Sequence, residues 1–149
     1  MLPLGATATI TRSTWRHHHR PSEPPLKTAP TGIACFLASH VSSEDRANDL
    51  ERVLRSISAQ LGTPPPLSVS WSCEPALAPR VRSILATAAA GVSLRQLEQP
   101  HKTSQFEHYR ALAALHAPAP PVWVMFTDDD DIWSERRTAI YERQCHTSR

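Results

Sequence analysis

Glycine is scarce in this 149-residue chain, and the four present, Gly5, Gly32, Gly62 and Gly91, stand far apart. That excludes a glycine-rich phosphate loop of the G-x-x-x-x-G-K type and a G-x-S-x-G elbow for a nucleophilic serine. Cysteine is equally sparse. Cys35, Cys73 and Cys145 are odd in number and show no C-x-x-C or Cys/His ligand spacing, so neither a zinc site nor a disulfide framework is indicated, and free thiols are expected. No apolar run approaches the roughly 18 residues of a membrane span. The formal net charge of +2 does not call for nucleic acid or a membrane surface as a partner.

Acid is nearly missing from the first thirty residues, where Arg12, Arg16, Arg20 and Lys27 face Glu23 alone among many Ser, Thr and Pro. Residues 1–31 therefore read as a disordered basic, proline-rich leader; an organellar transit peptide shares this composition, and a soluble, cytoplasmic protein is the default. His17, His18 and His19 belong to that leader, because three adjacent imidazoles cannot all face one metal.

From Gly32 the pattern becomes alternating strands and helices, and 32–149 has room for one domain. Ile33 to Ala38 reads as a buried strand. Ser42 or Ser43 caps a helix through about Gln60, with Leu50, Val53, Leu54, Ile57 and Leu61 on one stripe. Gly62 and the Pro64–Pro66 run end it. Leu67 to Trp71 alternates as a second strand, and a helix follows from about Pro79 to Ala90. Val92 to Leu97 is a weaker third strand, Ser104 to about His116 a third helix, and a last helix runs through about Gln144. The alternation implies an α/β fold, a mostly parallel sheet with helices on both faces. Three polar strand ends then gather on one edge: Ser39-His40, Ser72 to Glu74, and Asp128 to Asp131.

The aspartates are the sharpest feature. They follow the apolar run Val122 to Phe126 and precede Ile132-Trp133. Two carboxylates about 6 Å apart repel by roughly 0.7 kcal/mol in water and by about 3 kcal/mol near a protein surface, so four in a row need a cation, a helix N-terminus or full solvation. With extended backbone, Asp128 and Asp130 share one face and Asp129 and Asp131 the other. Such a pair suits a hard divalent ion, Mg²⁺ or Mn²⁺. The competing explanation is that Asp130 and Asp131 offset the dipole of a helix starting near Ser134. A calcium EF-hand loop fails, because it wants Gly at 133 and Glu at 139 where the chain has Trp133 and Ala139. A phosphatase with an aspartyl nucleophile needs further motifs that are absent.

The segment FTDDDDIW, Phe126 to Trp133, with Arg136-Arg137 and Tyr141 after it, resembles the metal-binding segment of family-2-type glycosyltransferases of the GT-A (Rossmann-like) fold. The helix end Ser56-Ile57-x-x-Gln60 and the upstream element order are similar too, so the resemblance covers Gly32 to Gln144. It implies a glycosyltransferase-like protein that binds a nucleotide-sugar, a UDP-sugar first among the candidates, through Mn²⁺ or Mg²⁺ and transfers the sugar to an unknown acceptor. Asp128 would lie near the ribose or base, Asp130 would bind the metal, and Asp131 would support that shell. Lys102 and His101 would approach the donor phosphates or sugar, while His108 is expected as a packed or surface histidine rather than a ligand. Ser39 and His40 stand where relatives carry Thr/Ser-Tyr-Asn, and Ser72-Cys73-Glu74 where they place a base-reading aspartate, for which Glu74 would be the substitute. With 18 residues after Asp131, the match corresponds to the N-terminal, donor-binding part of such a domain, truncated after the metal motif. No general base is found, since Glu135 and Glu142 read as a solvated helix face. The alternative is an inactive or truncated nucleotide-sugar-binding or interaction module.

Overall fold

A computed structural model describes residues 32–147, and the basic leader with its histidine triplet lies outside the described residues. The apolar run after Gly32 forms β1 (Ile33–Val41), which extends past Ala38 because Ser39, His40 and Val41 still pair with Trp71, Ser72 and Cys73. Helix α1 (Glu44–Ser58) starts at Ser43, whose side chain accepts the Arg46 N–H at 3.3 Å. Its stripe of Leu50, Val53, Leu54 and Ile57 is fully buried. Leu61, expected to continue that stripe, is 53% exposed, because the helix ends at Ser58 and Leu61 falls in the following turn.

Strand β2 (Leu67–Cys73) leads through a short 3₁₀ turn, Pro75–Leu77, into α2 (Ala78–Ala88). Strand β3 (Leu94–Glu98) starts two residues later than its sequence suggests, since the Val92 N–H closes a turn onto the Ala89 carbonyl beside positive-φ Gly91. Helix α3 (Gln105–His116) begins with a capping box, Ser104 and Glu107 exchanging side-chain to backbone bonds. Strand β4 (Trp123–Asp128) and helix α4 (Arg137–Thr147) complete the described chain.

Among the described residues the four strands form one parallel sheet in the order β3-β2-β1-β4, with α1 and α2 on one face and α3 on the other. The parallel α/β architecture with helices on both faces matches the expectation. Its order has a physical consequence. The chain winds outward from β1 to β2 and β3, then returns to place β4 on the opposite side of β1. A crevice therefore opens beyond the carboxyl ends of β1 and β4, where adjacent loops leave in opposite directions.

The main core lies on the α1/α2 face, where Cys35, Leu37, Val69 and Trp71 meet the α1 stripe and Val81, Ile84 and Leu85. Full burial of each such large side chain is worth about 1.5–3 kcal/mol. The three cysteines are unpaired, and burial pushes the Cys35 thiol up to about 12, which leaves it an inert core group. Among the described residues no helix is long and apolar enough to cross a membrane.

Candidate functional site

The β1/β4 crevice holds a cavity of about 220 Å³ lined by Ser39, His40, Arg46, Gln105, Asp128, Asp129 and Asp130 among others. Two of the three polar strand ends meet here. Regular β4 pairing stops at Asp128, and Asp129 and Asp130 form a turn that the Asp131 N–H closes onto the Asp128 carbonyl at 3.4 Å. The expected alternation of faces therefore ends one residue into the run, and Asp128, Asp129 and Asp130 all reach the cavity.

Each carboxylate has its own environment. Asp128 is half-buried against α3, accepting the Tyr109 hydroxyl at 2.9 Å and the Gln105 amide. Burial, reinforced by that carboxylate, raises the Tyr109 pKa and keeps the hydroxyl protonated as a donor. Asp129 is 3% exposed, accepts the Ser39 hydroxyl at 2.6 Å and pairs with Arg46. Burial raises its pKa, with the Asp130 charge adding to the effect, while the Ser39 bond and the Arg46 charge pull it back only in part. Asp130 is largely exposed and meets the other arm of Arg46 at 3.2 Å.

Arg46 thus spans two aspartates from the first turn of α1. Burial works against its charge, but Asp129 and Asp130 together hold its pKa above the ordinary value. Sequence reasoning missed it, although a signal existed: a cation in the first turn of a helix opposes the dipole and asks for an anionic partner. It also missed Gln105 and Tyr109, and it gave Asp129 no role of its own within the aspartate run.

The loop after the aspartates is tied down by the end of α1. Ser56 Oγ accepts the Trp133 N–H at 3.0 Å, and Gln60 donates to the Ser134 carbonyl at 2.8 Å while accepting from the Thr138 N–H at 2.9 Å. The buried Trp133 ring donates to Thr127 Oγ1 at 2.9 Å and lies under the Arg137 guanidinium, 4.6 Å from the ring centre. The Ser-Ile-x-x-Gln helix end thereby positions the aspartate turn. These ties also displace the last helix, which starts at Arg137 rather than near Ser134, so Asp130 and Asp131 lie outside its first turn and do not cap its dipole.

The remaining expected site residues separate. Ser72 is buried behind His40, with Ser72 Oγ 2.9 Å from His40 Nδ1. Glu74 is exposed past the end of β2, its N–H bonded to the Val41 carbonyl, and does not line the cavity. His101 and Lys102 are exposed, and Lys102 borders a neighbouring depression with Glu107 and Arg110. Asp131 is exposed beside the cavity rather than in its wall. Glu135 and Glu142 are exposed. His108, expected as a packed or surface histidine, is packed, 1% exposed at the back of the cavity.

Among the described residues no three His, Cys, Asp or Glu side chains converge as a ready-made metal group. The donor chemistry nevertheless suits a hard divalent ion. Mg²⁺ commonly takes one or two carboxylates from the protein and fills its other positions with water and substrate phosphates, and Asp128 and Asp130 offer two such carboxylates in one wall.

No family model and no curated protein matches the sequence. Among solved structures, S. aureus TarS matches with a TM-score of 0.55 at 11% identity, over 78% of this chain and 20% of that one. The chain thus spans about a fifth of the length of that neighbour. At this identity the likeness speaks for the fold alone, and the fold is glycosyltransferase-like.

Proposed function

We propose that this chain forms the donor half of a glycosyltransferase-type site, binding a nucleoside-diphosphate sugar, a UDP-sugar first, for transfer to an acceptor. The observation that carries this reading is the convergence of Asp128, Asp129 and Asp130 with Ser39 and His40 on one cavity at the switch point of a glycosyltransferase-like sheet.

Asp130 is the exposed carboxylate and Asp128 its neighbour in the wall, so these two would hold Mn²⁺ or Mg²⁺, with Asp131 at their flank. Such an ion offsets charge on a diphosphate leaving group. The chain's own residues do the positioning. Arg46 braces Asp129 and Asp130 from α1, the Ser39 hydroxyl fixes Asp129, and Tyr109 and Gln105 orient Asp128 from α3. Carboxylates held from two helices are pre-organised for a ligand that bridges them.

Calorimetry tests the proposal. UDP is expected to bind more tightly with Mn²⁺ or Mg²⁺ present, and Asp130→Ala to remove that metal dependence. A metal dependence that is absent from the wild type, or unchanged in Asp130→Ala, would refute the site.

A second reading is a binding or interaction module without transferase activity. Release of UDP from a UDP-sugar by the isolated chain would decide for the enzyme.

A further inference from the structure

The α3-facing side of β2 carries Ser68, Ser70 and Ser72, and two histidines of α3 bond to them. His116 Nε2 lies 2.8 Å from Ser68 Oγ. The other contacts form a string. Gln99 Nε2 donates to Ser70 Oγ at 3.1 Å, Ser70 Oγ is 2.8 Å from His108 Nδ1, His108 Nε2 is 3.2 Å from Ser72 Oγ, and Ser72 Oγ is 2.9 Å from His40 Nδ1. His40 lines the cavity with the aspartates.

Counting protons gives this string a direction. Ser70 is fully buried, and its oxygen already accepts from Gln99. With the Gln99 amide nitrogen turned toward Ser70, a proton on His108 Nδ1 would also donate to Ser70, and the Ser70 hydroxyl proton would have no acceptor among the described residues. A buried orphan donor costs about 1–3 kcal/mol. If Ser70 donates to His108 Nδ1 instead, His108 carries its proton on Nε2, donates to Ser72, and Ser72 donates to His40 Nδ1. Every proton then has an acceptor. A doubly protonated His108 would bring back the Ser70 orphan and bury a charge, and burial already lowers its pKa.

We propose that Gln99, Ser70, His108 and Ser72 form a one-way hydrogen-bond chain that holds His40 as the neutral Nε2–H tautomer, with that N–H as donor to an oxygen of a nucleoside diphosphate in the cavity. His108 and Ser72 are then positioning residues for His40. The identity of the ligand rests on the donor-site reading above; the direction of the chain does not. A string fixed by buried hydroxyls presents its donor without reorganisation, as second-layer partners orient histidine ligands elsewhere.

Long-range ¹H–¹⁵N correlation of the imidazoles in ligand-free protein reads both tautomers. His40 and His108 are expected as Nε2–H. Ser72→Ala is expected to broaden the His40 tautomer distribution and weaken UDP binding about fivefold, the size of one ordinary hydrogen bond. Ser72→Thr retains the hydroxyl and His40→Gln retains a donor at the Nε2 position, so both are expected to bind UDP like the wild type, whereas His40→Leu is not. A parallel loss with pyrophosphate puts the accepting oxygen on the phosphates; a parallel loss with uridine puts it on the nucleoside, and either supports the donor role. His108 found as Nδ1–H, or UDP affinity unchanged in both Ser72→Ala and His40→Leu, overturns the chain. Failure of the wild type to bind UDP at all, with both tautomers as expected, overturns the donor-site reading while leaving the direction of the chain intact.

Discussion

The two faces of the sheet are built from different chemistry. Against α1 and α2, β1 and β2 present Cys35, Leu37, Val69 and Trp71 to a continuous apolar layer. Against α3 the buried apolar group among the described residues is smaller, Ala34, Phe36 and Leu112 with Tyr109 and Val124 packed beside it, and three serine-to-histidine contacts join β2 to α3. Apolar burial is non-directional and rewards area, while a buried hydrogen bond nets about 0.5–1.5 kcal/mol and demands geometry. The first face therefore supplies most of the stability. The second spends burial on orientation, and it is the face that leads to His40 and Asp128 at the cavity.

The largest expected effect sharpens this contrast. Leu54→Ala, at a fully buried position of α1, is expected to cost about 2–5 kcal/mol in urea unfolding. A cost below 1 kcal/mol would show that the α1 face is not the main core.

At the boundary between the faces stands Arg46. Arg46→Met leaves Asp129 buried without its cation, and because Arg46 is 36% exposed the cost is discounted to about 1–2 kcal/mol. Asp129 already has a raised pKa, so removing the cation raises it further and favours the protonated carboxyl. The loss should therefore be smallest in acid and grow as the pH rises through the folded-state value. Asp129→Asn added to Arg46→Met should recover most of it; a double variant no more stable than the single would mean that the pair is not coupled.

The smallest effect is specific to the α3 face. Burial lowers the pKa of both His108 and His116 from 6.5, so the unfolded chain takes up protons there before the folded one does. Stability from the neutral imidazoles is complete above the unfolded value and is lost as the pH falls below 6.5 through the folded values. His108→Gln is expected to flatten part of that slope between about pH 7 and pH 5. An unchanged slope would place the acid sensitivity outside His108.

Much of the frame was legible because its signals are local. The apolar run of β1, the i, i+3, i+4, i+7 stripe of α1, the alternation of β2 and the proline and glycine stops each follow from a period or a backbone restriction within a few residues. The aspartate run at a strand end was legible for the same reason. Leu61 was misplaced because periodicity alone does not say where a helix ends, and β3 and α4 began later than expected where a turn or a tertiary tie took the first residues.

The sequence by itself determined the α/β alternation, the main core stripe and the position of four acids after an apolar strand, though not that this strand lies at the sheet edge with Trp123 and Phe126 exposed. Only the tertiary structure decided which acid is buried, that Arg46 braces it, and that serines alternating along β2 meet the histidines of α3. The physical reason is range. Periods and caps act between neighbours in the chain, whereas the return of β4 to the far side of β1, which opens the cavity, is set by which strands pair. Contacts such as Ser39 to Asp129 join residues ninety positions apart and leave no trace in any local pattern.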